Sequence, residues 1–312
     1  MEPFKVSLSN DAVVTGLAYL PSRQEPSSPL AVPLILAIHG GTYNASYFFA
    51  DDQHSALPLA SALQLPFLAI NRPGYKDSTP IPTVPEDSSY FQEVGKYLHH
   101  EILPALWKRY ASDVGASCFV LMTHSLGSPG AIVAAALNAE SNLYPLAGLI
   151  MSGFGSELEK GPGFYAQLEM LKSKPATINF PVEFKDPIML GTPEEGMADL
   201  SIYKQTAALQ SETPGDEISD ALTQWLDYWT KYAAKVTVPV MYGLAESDHL
   251  WSVSEQYVRN FVTAFEKSPR VESGIILGSA HCSELCKVGR GWYTRSFGFA
   301  MECAVAKELK RF

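Results

Sequence analysis

Ser125 lies in "LMTHSLGSPGA", after an apolar run and before a run of small residues. A serine hydroxyl attacks a carbonyl only if a base removes its proton, so the chemistry requires partners elsewhere in the chain. A sharp strand-to-helix turn would expose the Ser125 oxygen and aim the new helix's first N–H groups at developing negative charge. Such a turn needs small residues about two positions to either side. Gly127 meets that need, whereas Thr123 stands where glycine is usual. "AIHGGTYN", residues 37–44, ends another apolar run in glycines, which lets a backbone amide approach the reacting carbonyl. Gly41 and Leu126 are therefore the candidate oxyanion donors. Thr42, Tyr43 and His124 border these two turns and are the candidate substrate contacts, although His124 itself should point away from the nucleophile.

Of the seven histidines, His281 is the candidate base, because it follows "SGIILGSA" on a loop. His39 reads as structural, and His54, His99 and His100 as surface positions on helical patterns. His249 stands beside a possible acid. "VMYGLAESDHLW" offers two acids to orient the imidazole, Asp248 by preference and Glu246 as its competitor.

Elements that position these residues follow from periodicity. Near-continuous apolar runs at 32–41, 65–74, 117–125, 146–155, 236–247 and 273–281 read as strands buried on both faces. Two alternating runs, 4–8 and 13–20, read as an antiparallel hairpin. Helical spacing at 54–65, 90–109, 127–140, 252–267 and 289–310 alternates with the strands. That order predicts an α/β fold, a mostly parallel central sheet with helices on both faces. "PSRQEPSSP", 21–29, reads as a loop. Residues 155–235 lack a strong strand and are rich in aromatic and aliphatic residues, which predicts a helical cap after the sixth strand. The core is then 1–154 with 236–312.

Size and composition are those of a globular enzyme, with 312 residues, 46% of them hydrophobic. A net charge of −10 argues against nucleic acid or an anionic membrane as partner. The N-terminus has no secretory pattern and no apolar run is long enough to span a bilayer. Cys118, Cys282, Cys286 and Cys303 have no disulfide-framework spacing, which points to a reducing, cytoplasmic setting. His281-Cys282-x3-Cys286 is an incomplete ligand set for structural zinc. No metal or cofactor is expected, and the oligomeric state is left open.

Together "HGG", "NRPGYKDS", "THSLG", "GLAESDHLW" and "GSAHC" resemble the α/β-hydrolase superfamily, in its order of serine, acid and histidine, from residue 4 to about 310. The C-terminal stretch is similar to hydrolase-like proteins of fungal secondary metabolism. The resemblance implies acyl chemistry, since superfamily members acting on alkyl carbon carry aspartate at the nucleophile position. It implies a serine hydrolase for an ester, thioester or lactone carbonyl, and the aromatic and aliphatic content of the cap suggests a hydrophobic small molecule as its substrate. The alternatives are an acid–base lyase, condensing enzyme or cyclase on the same fold, and a ligand-binding protein that has lost turnover.

Overall fold

The computed structural model describes residues 1–22 and 31–312. Most of the 21–29 loop expected from sequence lies outside the described residues. Eight strands form one sheet: β1 (Glu2–Ser7), β2 (Val13–Tyr19), β3 (Pro33–Ile38), β4 (Phe67–Ile70), β5 (Cys118–His124), β6 (Leu146–Ser152), β9 (Val240–Ser247) and β10 (Val271–Ala280). Their order is β1-β2-β4-β3-β5-β6-β9-β10. β2 runs antiparallel to both its neighbours, and every other pairing is parallel.

Alternation explains why the central strands are apolar throughout. Leu34, Leu36 and Ile38 of β3 join one buried cluster, while Ile35 and Ala37 join the other. Phe119 and Leu121 of β5 divide from Val120 and Met122 in the same way. On the first face pack α2 (Tyr90–Tyr97), α3 (Leu103–Val114), α4 (Ser128–Ser141) and α11 (Glu255–Thr263). On the second pack α1 (Leu57–Leu63) and α12 (Gly289–Glu308). Between α2 and α3 the helix passes through a π turn at Leu98–Ile102. Pro104, near the start of α3, has no N–H to give to a preceding turn, and the helix continues beyond it to Val114. Sequence spacing alone ended this element at 109.

The cap leaves the sheet after β6. It contains α5 (Pro162–Leu171), α6 (Val182–Leu190), α7 (Leu200–Tyr203), α8 (Thr206–Leu209), α9 (Gly215–Thr223) and α10 (Trp225–Ala233). It also carries a short antiparallel pair absent from the sequence reading, β7 (Thr177–Ile178) with β8 (Thr213–Pro214). Two-residue strands are too short to impose a period on the sequence. Among the described residues no helix is long and apolar enough to cross a membrane.

Candidate active site

β3 connects towards β4 on one side of the sheet and β5 lies on its other side, so the strand order reverses between β3 and β5. The carboxyl ends of these two strands flank the crevice where open α/β sheets bind ligands. His39-Gly40-Gly41 follows β3, and Ser125 follows β5.

Ser125 has φ +48°, the left-handed conformation that a non-glycine residue adopts only where its surroundings enforce it. A 3-10 turn, Ser125–Gly127, leads directly into α4. A Cβ placed on Gly127 would lie 2.5 Å from the Ile38 carbonyl oxygen and 2.7 Å from that of His39, so nothing larger fits. Thr123, on the other side, is accommodated because its hydroxyl has a place. Its Oγ1 lies 2.9 Å from Ser128 Oγ and donates to the Ile150 carbonyl at 3.2 Å.

His281 follows β10. The β9–β10 register sets Ala280 opposite Ser247, so the next residues, His281 and Asp248, emerge side by side. His281 Nδ1 is 2.8 Å from Asp248 Oδ2, and His281 Nε2 is 2.9 Å from Ser125 Oγ. With Nδ1–H donating to the carboxylate, Nε2 is free to accept the serine proton. The other Asp248 oxygen accepts the N–H groups of Leu250 at 2.9 Å and Trp251 at 3.2 Å. Glu246 points elsewhere and accepts the Gly278 N–H at 2.7 Å. All three members of the Ser125–His281–Asp248 chain are buried.

Gly41 stands against the nucleophile turn, where an added Cβ would lie 2.8 Å from Leu126 Cδ1. Thr42 has φ +64°, a strained value for a β-branched residue. The cap holds it there: its N–H donates to Thr213 Oγ1 at 2.8 Å and its carbonyl accepts the Ser211 N–H at 2.8 Å. Its hydroxyl is buried without a hydrogen-bond partner. Tyr43 is buried beside Tyr47, with Lys185 of α6 4.7 Å above its ring. Burial lowers the Lys185 ammonium, against the pull of Asp186.

His124 turns inward, as expected for the residue preceding Ser125. Its ring stacks on Tyr47, and its Nδ1 is 3.0 Å from Ser152 Oγ, so its polar contacts are to protein. That engagement differs from the substrate contact expected of it, because the strand directs it behind His281. His39 is structural: its Nδ1 donates to the Gly40 carbonyl at 2.7 Å and its Nε2 accepts the Arg72 N–H at 3.2 Å. Burial, and then the Arg72 charge, hold His39 neutral. Two histidines expected at the surface are buried instead. His54 bridges Asp51 and Asp199, while His99 contacts Tyr144 and Ser141. His100 is exposed.

Sequence reasoning missed the charges that fasten the cap. Arg72 and Glu217 of α9 form a fully buried ion pair through Nη1. Tyr75 donates to Glu217 at 2.6 Å and accepts from Arg72 at 2.9 Å. Arg72 Nη1 also donates to the Leu126 carbonyl at 3.2 Å, so the cap reaches the nucleophile turn. Burial pushes the Glu217 carboxyl up, in opposition to Arg72. A second set of ties joins the cap to the histidine loop: Cys282 N–H donates to the Met189 carbonyl at 2.8 Å and Lys287 N–H to that of Met197 at 2.9 Å.

No curated protein matches the chain by sequence. Solved structures share the fold at low identity. A monoglyceride lipase from Saccharomyces cerevisiae superposes with TM-score 0.65 at 15% identity, covering 94% of this chain and 92% of that one. A thermophilic esterase from Thermogutta terrifontis gives TM-score 0.61 at 13% identity, over 97% and 100%. An N-acyl homoserine lactonase gives 0.61 at 14% identity, over 97% of each chain. The family model described as "Alpha/beta hydrolase family" matches residues 35–285, most of the chain, and the protein belongs to that family.

Proposed function

We propose that the protein is a serine hydrolase acting on an ester, thioester or lactone carbonyl of a hydrophobic small molecule. The observation that carries this reading is the unbroken hydrogen-bond chain from Ser125 Oγ through His281 to Asp248. Family membership supports it, as does likeness to proteins described as an esterase, a lipase and a lactonase.

In this mechanism His281 Nε2 takes the Ser125 proton as Oγ attacks the carbonyl carbon. The Gly41 and Leu126 amides receive the oxyanion, and the unpartnered Thr42 hydroxyl supplies a third donor. His281 then protonates the leaving group, and water repeats the sequence on the acyl-enzyme. Each oxyanion donor contributes about 3–4 kcal/mol. Asp248 holds the Nδ1–H tautomer and stabilises the imidazolium. Phe154, next to Gly153 at the His281 backbone, packs 6.0 Å from Trp225 of the cap and 4.5 Å from Trp251. These rings are buried against one another, and it is the aromatic and aliphatic content of residues 155–235 that supports an apolar acyl or alkyl group.

A fluorophosphonate probe and a panel of p-nitrophenyl esters and aryl lactones test the proposal. The expected outcome is covalent labelling at Ser125 in the wild type, and loss of both labelling and turnover in a folded Ser125→Ala variant. Turnover that survives Ser125→Ala overturns it.

A further inference from the structure

Behind His281 lies a second buried acid that the triad does not use. Glu284, three residues past His281, is completely buried. Ser152 Oγ donates to its Oε1 at 2.6 Å and Trp292 Nε1 donates to the same oxygen at 3.0 Å. Tyr47 donates to Oε2 at 2.7 Å. Trp292 Nε1 can only donate, and with Ser152 and Tyr47 donating as well both Glu284 oxygens accept, a pattern that favours the carboxylate over the acid. Burial pushes the Glu284 carboxyl up and these donors oppose it. His124 Nδ1 lies 3.4 Å from its Oε2.

His124 stays neutral: burial holds it low, as does its proximity to His281, His39 and Arg72. A neutral ring with Nδ1–H donates to Ser152 Oγ, whose own hydrogen goes to Glu284. The His124 ring then meets the His281 ring edge-on, 5.0 Å between centroids. The groups facing Glu284 are Tyr47, His124, Ser152 and Trp292, with Tyr293 and Cys282 nearby. Those facing His281 are Ser125, Asp248 and His124.

We infer that Glu284, relayed through Ser152 and His124, is a positioning residue that fixes the His281 ring and stabilises the positive charge it acquires. The inference rests on the hydrolase reading above. Asp248 acts on His281 directly, through Nδ1. Glu284 acts from behind, through an intervening neutral ring. With Oε2 3.4 Å from His124 Nδ1 and the two rings 5.0 Å apart between centroids, a full charge at Glu284 acting at an effective permittivity of about 20 would move a proton equilibrium at His281 by about one pH unit.

Two measurements on Glu284→Gln, which keeps shape and loses charge, test this. Imidazole proton–nitrogen NMR reads the rings whether or not Ser125 reacts. The variant should lose or displace the His124 Nδ1–H signal and shift the His281 ring signals. His281 signals superimposable on the wild type overturn the inference. Fluorophosphonate labelling of Ser125 should be about tenfold slower at neutral pH, with the acid limb of its pH profile about one unit lower. An unchanged rate and limb in the folded variant also overturn it. If Glu284→Gln does not fold, Ser152→Ala cuts the relay with the Glu284 charge in place, and it should displace the His124 Nδ1–H and His281 ring signals while leaving the acid limb where it is; unmoved ring signals overturn the inference. Failure of wild-type Ser125 to label overturns the nucleophile reading alone, and the NMR arm still judges Glu284.

Discussion

Replacing Glu217 by glutamine tests whether the cap is fastened by charge. Glutamine preserves shape and can still bond Tyr75, but the Arg72 guanidinium, buried to 2% exposure, would keep its charge without a counter-ion. Its Nε already lacks a partner, and the acceptors it would keep, the Tyr75 hydroxyl and the Leu126 carbonyl, are uncharged. Breaking a buried pair from one side costs about 3–5 kcal/mol, a large part of the roughly 5–15 kcal/mol that holds a protein folded. Urea denaturation at pH 8, followed by tryptophan fluorescence from Trp225 and Trp229 in α10, reads that loss. The double variant Arg72→Met with Glu217→Leu leaves no buried charge and should recover most of the stability. It should nevertheless remain about 10–100-fold slow on an ester substrate. The Leu126 carbonyl has lost the Arg72 donor, and small misplacements at a reacting centre have effects of that size. A Glu217→Gln protein within 1 kcal/mol of wild type, or a double variant of wild-type rate, refutes the reasoning.

Other outcomes follow from the same geometry. Asp248→Asn should lower kcat by about 10⁴ through the wrong histidine tautomer, while Glu246→Gln, off the imidazole, should stay within a few-fold; steady-state rates compare them. Gly127→Ala forces a Cβ to 2.5 Å from the Ile38 carbonyl and should destabilise by about 1–3 kcal/mol, read by thermal melting. Thr123→Val removes the partner of Ser128 and should destabilise by about 1–3 kcal/mol, whereas Thr123→Ser should be milder. Burial raises the Asp51 carboxyl, but hydrogen bonds from His54, Gln53 and Gln205 outweigh it and hold the group at about 2. A depressed acid stabilises above its unfolded value, 3.8, and that contribution is lost as pH falls from there towards about 2. Because Asp51 is partly exposed, the contribution is about 1–2 kcal/mol, and Asp51→Asn should flatten that part of the stability–pH curve.

The strands were legible because each central one buries both faces, which leaves a continuous apolar run that polar surface elements do not produce. The positions of Ser125, Asp248 and His281 were legible as turn residues at strand ends. The choice between Asp248 and Glu246 needed register, since only the Ala280–Ser247 pairing decides which acid stands beside His281. Arg72 with Glu217, and His124 with Glu284, left no trace because partners far apart in the chain impose no period on it. His54 and His99 read as surface residues for a related reason: polar side chains satisfied by distant partners resemble solvated ones until the partners are known. Thr42 gave no hint of strain, since the conformation is enforced by Ser211 and Thr213 from the cap.

Those cap contacts have a corollary. Cys282 and Lys287 hang from the carbonyls of Met189 and Met197, and Thr42 is gripped by Ser211 and Thr213. An outward displacement of this segment would sever those bonds or drag both loops along, so the placement of Thr42 and of the loop after His281 is tied to that of the segment between β6 and β9.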